Sequence, residues 1–240
     1  MPSAKSLDAF PRPNVAVDLA VLTVQPSSST RDPLGELCVL VFEPTRASRR
    51  RALPGRFVRE RRTTHDTVNE ILEDKLGIDP GSVVTPQLLG VFDDPNRDDR
   101  GWTMSLAHAV ALPIDRLSGS RGDLVPVDRN HRLSTHERLD YDHDAIVEAA
   151  VRRMREQYSR APDPYRLVEE PFTLSELRRF HEAVLGARLV KDTFNRRMQP
   201  HFEAVTDVTG APVVSRSIGR PAQLYRRRRP ARRRPRPAAR

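Results

Sequence analysis

The sequence predicts an α/β domain, followed by a smaller α+β domain and a disordered basic tail. Segments with the composition of β-strands alternate with amphipathic helical segments as far as residue 160, and this alternation is typical of an α/β layer. Pro162, Pro164 and Pro171 then mark a connector, beyond which two helices and two short strands are expected. The predicted divisions are a lead-in over 1–13, the α/β domain over 14–160, the smaller domain over 161–225 and the tail over 226–240.

Composition excludes several classes of protein. Hydrophobic residues make up 38% of the 240 residues and charged residues 30%, which is enough for a core. The longest apolar run, Val15–Val24, is shorter than the roughly 20 residues that a membrane helix needs, and it carries Asp18 in its middle. Cys38 is the only cysteine, which excludes a disulfide framework and indicates a buried thiol. We therefore expect a cytoplasmic protein with no membrane association.

The elements of the α/β domain are predicted from hydrophobic periodicity. Strands rich in Val and Leu are expected at 14–24 and 35–42, on either side of a turn-like segment. A helix is predicted over Thr64–Leu76, because apolar residues recur at helical spacing and Gly77 follows them. The remaining predicted elements are strands at 87–92 and 102–112 and a long amphipathic helix at 141–159.

The smaller domain is predicted from two helices and a hairpin. Thr173 and Glu176 form a capping box, so that a helix begins after Thr173 and ends before Gly186. After a short turn, a second helix is expected over Lys191–Gln199, with Asp192 as its cap. Two short β-prone runs follow, at 202–206 and 223–225. The order helix, short turn, helix and hairpin is that of a winged helix-turn-helix domain.

The net charge of +9 comes entirely from the tail. Residues 226–240 contain nine of the 41 Lys and Arg residues and no acidic residue, so the 32 basic residues that remain equal the 32 acidic ones. A run of Arg, Pro and Ala this dense is expected to be disordered, and its arginines would neutralise the phosphates of a nucleic acid. An Arg-rich genome would produce the same composition without any function.

A first motif lies at residues 52–78, ALPGRFVRERRTTHDTVNEILEDKLGI. This segment resembles the Nudix box, G-x5-E-x7-R-E-U-x-E-E-x-G-U, and aligns with it without a gap. The Nudix fold is an α/β/α sandwich, which agrees with the elements predicted above. The box places carboxylates on one helix face at i, i+3 and i+4, where they hold divalent cations. In this chain those positions are Ile71, Asp74 and Lys75, which are a hydrocarbon, a carboxylate and a cation.

The frame of the box is therefore present without its set of metal ligands. Arg62 stands at the upstream glutamate, Arg56 at a glycine and Glu70 at the arginine of the motif. We expect no catalytic residue, no metal site and no required cofactor. One alternative is a displaced metal site at Glu70, Glu73 and Asp74, in a metal-dependent Nudix hydrolase that acts on ADP-ribose-like nucleotides. A solvated acidic helix face explains the same three residues.

A second motif lies at residues 92–107, FDDPNRDDRGWTMSLA. Nudix proteins that handle ADP-ribose carry a similar segment, G-D-P-x-R-D-x-R-x-x-x-S, and Arg97, Asp98 and Arg100 match it. Two arginines on a polar loop would bind a pyrophosphate through paired hydrogen bonds, whereas a solvated loop with a local Asp–Arg turn is the alternative. The candidate ligand-binding residues are Arg51, Arg56, Arg97, Asp98 and Arg100.

Taken as a whole, the chain resembles the Nudix-related transcriptional regulator family, NrtR. The resemblance covers about residues 15–225 and rests on the box, the R-D-x-R loop, Asp142-His143, PFTLSELRRFHEAVLG at 171–186 and GRPAQLY at 219–225. It implies a Nudix-like domain that senses ADP-ribose or another NAD-derived nucleotide, and a winged helix that binds operators of NAD-biosynthesis genes. It also implies a homodimeric repressor on double-stranded operator DNA, whose half-site spacing changes when the ligand binds.

The residues of the smaller domain favour DNA binding in their own right. Arg and Asn read guanine and adenine edges in the major groove, and both types lie on the second predicted helix. Arginines beside the expected wing, and N–H groups at the start of the first helix, would contact phosphates. An ordinary charged helix face is the alternative. The candidate DNA-binding residues are Thr173, Ser175, Lys191, Thr193, Asn195, Arg196, Arg197, Arg216 and Arg220.

Two other features of the sequence suggest different functions, a metal site and general nucleic-acid binding. A cluster of His and Asp residues over 131–144 fits no closed zinc pattern. Asp142 and Asp144 stand at the start of a predicted helix, where carboxylates complement the helix dipole, so the cluster is interpreted as capping and loop polarity. The Arg-rich tail supports a third hypothesis, a protein that coats RNA or DNA, in which case deletion of 226–240 would abolish binding.

Overall fold

The computed structural model describes residues 10–26, 35–45, 49–215 and 221–228. The chain divides into two compact units. The first consists of residues 1–167 together with 180–187, and the second of residues 168–179 together with 188–240. No helix in the described ranges combines the length and the apolar character that a membrane span requires.

The first unit is built on a six-stranded mixed sheet. Its strands are β1 (Asn14–Gln25), β2 (Glu36–Val41), β3 (Gly55–Phe57), β4 (Gln87–Phe92), β5 (Thr103–Ala111) and β6 (Asp123–Pro126). The strand order is β4-β5-β1-β2-β6, and β3 pairs with β1 beside β2. β1 runs parallel to β5 and antiparallel to its other neighbours, which makes it the central strand. Cys38 on β2 is buried, as predicted.

Two helices cover the two faces of this sheet, α1 (Thr64–Leu76) and α2 (His143–Arg160). Successive side chains of a strand point to opposite faces, so that β1 contributes to two separate buried clusters. Val17 and Leu19 pack in one cluster with Ile71 of α1. Leu22 packs in the other cluster with Ile146 of α2. The predicted α/β/α sandwich is confirmed.

Helix α1 has the predicted bounds, and both of its ends are capped. The Thr63 hydroxyl accepts the Asp66 N–H at 3.0 Å, and the Asp66 carboxylate accepts the Thr63 N–H at 3.0 Å. Gly77 ends the helix with a φ of 68°, a backbone conformation that favours glycine. These caps fix where the box helix begins and ends, and therefore where its polar side chains lie.

The second unit contains two helices and a small sheet. Its elements are β7 (Phe172–Thr173), α3 (Leu174–Leu185), α4 (Lys191–Met198), β8 (Phe202–Ala204) and β9 (Leu224–Arg227), and from Phe180 onward α3 groups with the first unit. The strand order is β7-β9-β8, with both pairs antiparallel. The predicted winged helix-turn-helix order is confirmed.

Short 3-10 helical turns complete both units. They lie at Pro80–Ser82 and Ile114–Leu117 in the first unit and at Gln199–His201 in the second.

The predicted cap of α4 and the predicted start of the long helix are wrong in detail, whereas α4 does begin at Lys191. Asp192 does not cap α4, because Val190 is the residue that precedes the helix and no side chain there bonds a first-turn N–H. Asp192 lies instead within the first turn. The long helix starts at His143, since Tyr141 adopts a positive φ of 56° that a right-handed helix excludes.

The predicted start of the basic tail also needs correction. β9 continues to Arg227, and both of the first two tail arginines form ion pairs. The Arg226 guanidinium lies 2.5 Å from the Glu203 carboxylate, and that of Arg227 lies 2.7 Å from Glu170. Cross-strand pairing with β8 therefore extends the ordered chain past Tyr225. Residues 229–240, where the rest of the tail is expected, lie outside the described residues.

Candidate functional site

A pocket of about 220 Å³ opens in the first unit. Its walls come from β1, β3, the end of α1, the loop between β4 and β5, and the residues that lead into α2. Four of the predicted ligand-binding residues line it, namely Arg56, Arg97, Asp98 and Arg100. The other charged and aromatic residues in its lining are Asp18, Phe42, Glu43, Phe57, Lys75, Tyr141 and His143.

A buried ion-pair network forms the floor of the pocket. The Arg97 side chain is 3% exposed, and its Nη2 lies 3.0 Å from Asp18 Oδ2 and 2.6 Å from Asp142 Oδ1. Burial alone would raise the pKa of Asp18, but its electrostatic interaction and hydrogen bond with His143, and to a smaller extent Ser105 and the positive charge of Arg97, hold that pKa well below its usual range. Asp18 is therefore ionised, and Arg97 is committed to two carboxylates.

His143 links this floor to the backbone of the box segment. Its Nδ1 accepts the Leu53 N–H at 2.9 Å, so the ring proton must reside on Nε2. Nε2 lies 3.3 Å from Asp18 Oδ2 and donates to it. Asp142 stands at the N-cap position of α2, as interpreted from sequence, but its carboxylate accepts from Arg97 and bonds no N–H group of the first turn. The first residues of α2 thus belong to the pocket.

Arg100 lies at the more exposed side of the pocket, where its side chain is 44% exposed. Its Nε and Nη2 donate to the two carboxylate oxygens of Asp98 at 2.9 Å and 2.7 Å. The guanidinium carbon lies 5.3 Å from the centre of the Tyr141 ring and 5.8 Å from that of Phe57. Hydrogen bonding to Asp98 raises the pKa of Arg100, so this group is a permanent cation between polar and aromatic partners.

Two cations of the box segment line the pocket, Arg56 from β3 and Lys75 from the end of α1. Arg56 donates from Nη1 to Glu70 and from Nη2 to Asp74, both at 2.7 Å. Lys75 donates from Nζ to the carbonyl oxygen of Gly55. Burial lowers the pKa of Lys75, and the nearby Arg56 lowers it further, while Asp18 acts in the opposite direction. The last metal-ligand position of the Nudix box is therefore a cation here, and Arg56 neutralises the carboxylates of Glu70 and Asp74 on the same helix.

The box residues do not fit the divalent cation that the resemblance implies. Ile71 is fully buried in a hydrophobic cluster, and Asp74 is engaged by Arg56. Glu70, the first member of the alternative metal site, also lies 3.8 Å from Arg62. Within the described ranges, no group of three or more His, Cys, Asp or Glu residues has a metal-binding arrangement. Glu70 and Asp74 of α1 neutralise arginines instead.

The lining of the pocket differs in two ways from the set of ligand-binding residues predicted from the sequence. Arg51 is not part of the lining, and its guanidinium lies 3.2 Å from Glu137. Asp18 was missed as a site residue, although a carboxylate in the middle of an apolar strand is a recognisable signal. The aromatic side chains of Phe57 and Tyr141 were missed as well, and no motif in the sequence marks them.

Helix α4 presents a basic surface on the second unit. Lys191, Thr193, Arg196 and Arg197 are exposed, and Phe194 and Met198 are buried at i, i+4 on the opposite side. Asn195 is half-buried, and its Oδ1 is shielded from solvent. Four of the five predicted α4 contacts therefore lie on the accessible face.

Of the remaining predicted DNA contacts, one is buried and one is exposed in the described part of the chain. Thr173 is buried, its N–H donates to Glu176 Oε2 at 2.7 Å, and its hydroxyl donates to the same oxygen at 2.9 Å. The capping box therefore occupies the groups that were expected to meet phosphate, whereas Ser175 is exposed. Arg216 and Arg220 lie outside the described residues.

A family model and a curated relative match the chain. Residues 164–227 match the model described as the NrtR DNA-binding winged helix domain. The ADPR responsive transcriptional repressor NtrR of Acinetobacter baylyi is 26% identical over 226 residues, a match that covers 90% of this chain and 83% of that protein.

Solved structures show the same fold. NrtR of Shewanella oneidensis, complexed with a 27mer DNA, is 24% identical with a TM-score of 0.68, over 89% of this chain and 93% of that one. A MutT/nudix family protein from Enterococcus faecalis is 18% identical with a TM-score of 0.69, over 93% of this chain and 90% of that one. Both likenesses span the two units.

Proposed function

We propose that the chain is a member of the NrtR family of Nudix-related transcriptional regulators, and that it is a sequence-specific DNA-binding repressor that senses ADP-ribose or a related NAD-derived nucleotide. Its proposed target genes are those of NAD biosynthesis or salvage. The name of the A. baylyi relative states both a response to ADPR and repression, and it supports both parts of the proposal.

The ligand part of the proposal depends on the combination of cations and aromatic rings in one pocket. Arg100 and Lys75 supply positive charge, and charged hydrogen bonds to phosphate oxygens are the usual means of binding a diphosphate. The Phe57 ring is 44% exposed and gives a nucleotide base a surface for stacking. Arg97 is proposed to position the loop that carries Asp98 and Arg100, because its own guanidinium is enclosed by carboxylates.

The DNA part of the proposal depends on α4. Arg196 and Arg197 lie on its exposed face, and arginine is the side chain that most often reads guanine in the major groove. Lys191 and Ser175 stand at the starts of the two helices, where phosphate contacts would fix the register of the domain on DNA. The winged-helix assignment of residues 164–227 supports this role.

Ligand binding and DNA binding are proposed to be linked through a homodimer. A ligand that prefers one conformation of the first unit shifts the population toward that conformation. In a two-fold dimer, such a shift changes the separation of the two winged helices and hence their fit to two operator half-sites. The coupling is then a free energy shared between the two sites.

The first unit is proposed to bind its nucleotide without hydrolysing it. Hydrolysis is the second candidate function, favoured by the likeness to a MutT/nudix family protein. The full chain should release no AMP or ribose phosphate from ADP-ribose in Mg²⁺ or Mn²⁺ above a protein-free control. Release that is abolished by Asp74→Asn would establish the hydrolase instead.

Fluorescence anisotropy of the full chain tests the regulator. The probe is a duplex from upstream of the host's NAD-biosynthesis genes, beside a scrambled duplex, with and without ADP-ribose. We expect tighter binding to the promoter duplex and a shift in that affinity with ADP-ribose. Equal binding to both duplexes that ignores the ligand would contradict the proposal.

Deletion of residues 229–240 separates the regulator from a protein that coats nucleic acid. The deletion leaves β9 intact and removes six arginines. We expect weaker binding to both duplexes and a shallower salt dependence, with the preference for the promoter duplex retained. Complete loss of binding would favour the coating protein.

A further inference from the structure

The pocket carries a lysine where the Nudix box places a metal ligand. Lys75 stands at the last of the three carboxylate positions and lines the pocket together with the buried Asp18. We propose that the Lys75 ammonium takes the place of the divalent cation and binds the diphosphate of the nucleotide directly. Arg56 has the complementary role, since it occupies the carboxylates that would otherwise attract a metal. This inference rests on the proposed function and specifies how its ligand is held.

Lys75 has donors to offer a ligand. An ammonium group carries three N–H donors, and within the described ranges Lys75 donates to the carbonyl oxygen of Gly55. Its side chain is half-buried, so the remaining donors face a partly desolvated pocket where a charged hydrogen bond is stronger than in water. Oxygen atoms of a phosphate are acceptors of matching charge.

Arg56 neutralises the acidic face of α1. Its two terminal nitrogens donate to Glu70 and to Asp74 at 2.7 Å each, and its side chain is only 19% exposed. Glu70 has further cations nearby, with Arg62 at 3.8 Å and Arg59 at 3.9 Å. A divalent cation would have to displace these arginines from the carboxylates. The ion pairs thus disfavour metal at the position next to Lys75.

Two consequences distinguish this arrangement from a metal-dependent site. A chelator cannot remove an ammonium group, so nucleotide binding should not require a divalent cation. A diphosphate that already carries Mg²⁺ would bring a second positive charge close to Lys75, and like charges repel. The preferred ligand is therefore the metal-free diphosphate of a nucleotide.

Isothermal titration calorimetry of the full chain with ADP-ribose, in EDTA and in excess Mg²⁺, tests the proposal. We expect tight binding in EDTA that Mg²⁺ does not strengthen. Lys75→Met should weaken binding in EDTA on the order of tenfold or more, since a charged hydrogen bond is lost. The matched control is Arg116→Met, which removes one exposed cation outside the pocket and should leave the affinity unchanged. Thermal unfolding verifies that both variants are folded.

A gain-of-function variant tests the role of Arg56. Arg56→Gly combined with Lys75→Glu leaves Glu70 and Asp74 without Arg56 and adds a third carboxylate beside them. We expect this variant to bind Mn²⁺ alone, as detected by electron paramagnetic resonance, where the wild type does not. A variant that remains indifferent to Mn²⁺ would overturn the role of Arg56.

Three calorimetric outcomes would overturn the proposal, and they are distinguishable. A wild type that binds ADP-ribose only with Mg²⁺ would show that a metal is needed. Lys75→Met with wild-type affinity would show that Lys75 is not a ligand contact. A wild type that binds ADP-ribose in neither buffer would overturn the effector assignment itself, and this inference with it.

Discussion

The arginines of the two units are held in opposite ways. In the pocket, Arg97 is 3% exposed and bonded to two carboxylates. On α4, Arg196 and Arg197 lie exposed on the helix surface. Buried ion pairs keep one geometry, whereas exposed cations attract a polyanion over about a Debye length and are screened by salt. The same residue type therefore has two roles that depend on its burial: a buried arginine fixes the shape of the pocket, and exposed arginines form a positively charged surface.

Arg97→Met should produce the largest difference between the two regions. The variant leaves Asp18 and Asp142 without their shared cation, and breaking a buried pair costs about 3–5 kcal/mol of unfolding free energy. Arg196→Met removes an exposed cation and should change the unfolding free energy by less than about 0.5 kcal/mol. Urea denaturation at neutral pH measures both changes in the unfolding free energy. Equal losses in the two variants would contradict the contrast between buried and exposed arginines.

Asp18→Asn should reveal the same network through its pH dependence. The folded-state pKa of Asp18 is lowered, so its carboxylate stabilises the fold above the unfolded-state pKa of about 3.9. That stabilisation is lost as the pH falls through the folded-state pKa. The variant should therefore be less stable than the wild type at pH 7, by a difference that shrinks below about pH 4. Urea denaturation across this range would contradict the account if the difference stayed constant.

Arg196→Ala sharpens the comparison on the DNA side. If Arg196 reads a base, its removal should cost about 1–3 kcal/mol of binding free energy on the promoter duplex and less on a scrambled one. Arg179→Ala, at an exposed position of α3, is the matched control and should have little effect. Anisotropy titrations give both values. An equal loss on the two duplexes would assign Arg196 to phosphate contact.

Phe57→Ala should give the smallest effect, on the ligand side. Loss of one stacking ring should weaken ADP-ribose binding by about 1 kcal/mol, or roughly fivefold, with little change in folding. Trp102→Ala removes another half-exposed ring that does not line the pocket, and should leave the affinity as it was. Calorimetry measures the ADP-ribose affinity of both variants. Equal affinities of the two variants would show that Phe57 does not contact the ligand.

The helices were predictable wherever their signals are local in sequence. The bounds of α1 follow from the Thr63 and Asp66 cap and from Gly77, all within or next to the helix. The start of α3 follows from Thr173 and Glu176 in the same way. The start of α4 at Lys191 was predicted correctly, but its cap was not, because Asp192 lies within the first turn and no side chain bonds the N–H groups there.

The pocket was only partly predictable, because its key contacts span long stretches of chain. The R-D-x-R motif identified Arg97 and Arg100, but the partners of Arg97 are 79 and 45 residues away in sequence. Only the fold brings Asp18 of β1 and Asp142 before α2 to that guanidinium. For this reason Arg97, which was expected to bind the ligand, is instead enclosed by two carboxylates.

Reciprocal linkage is the most direct test of the central claim that one chain couples a nucleotide pocket to a DNA-reading helix. Calorimetry would measure the affinity for ADP-ribose with and without saturating operator duplex, and anisotropy would measure the operator affinity with and without ADP-ribose. The account predicts that the two affinities change by the same factor and in the same direction. An ADP-ribose affinity that is unaffected by bound operator would contradict it.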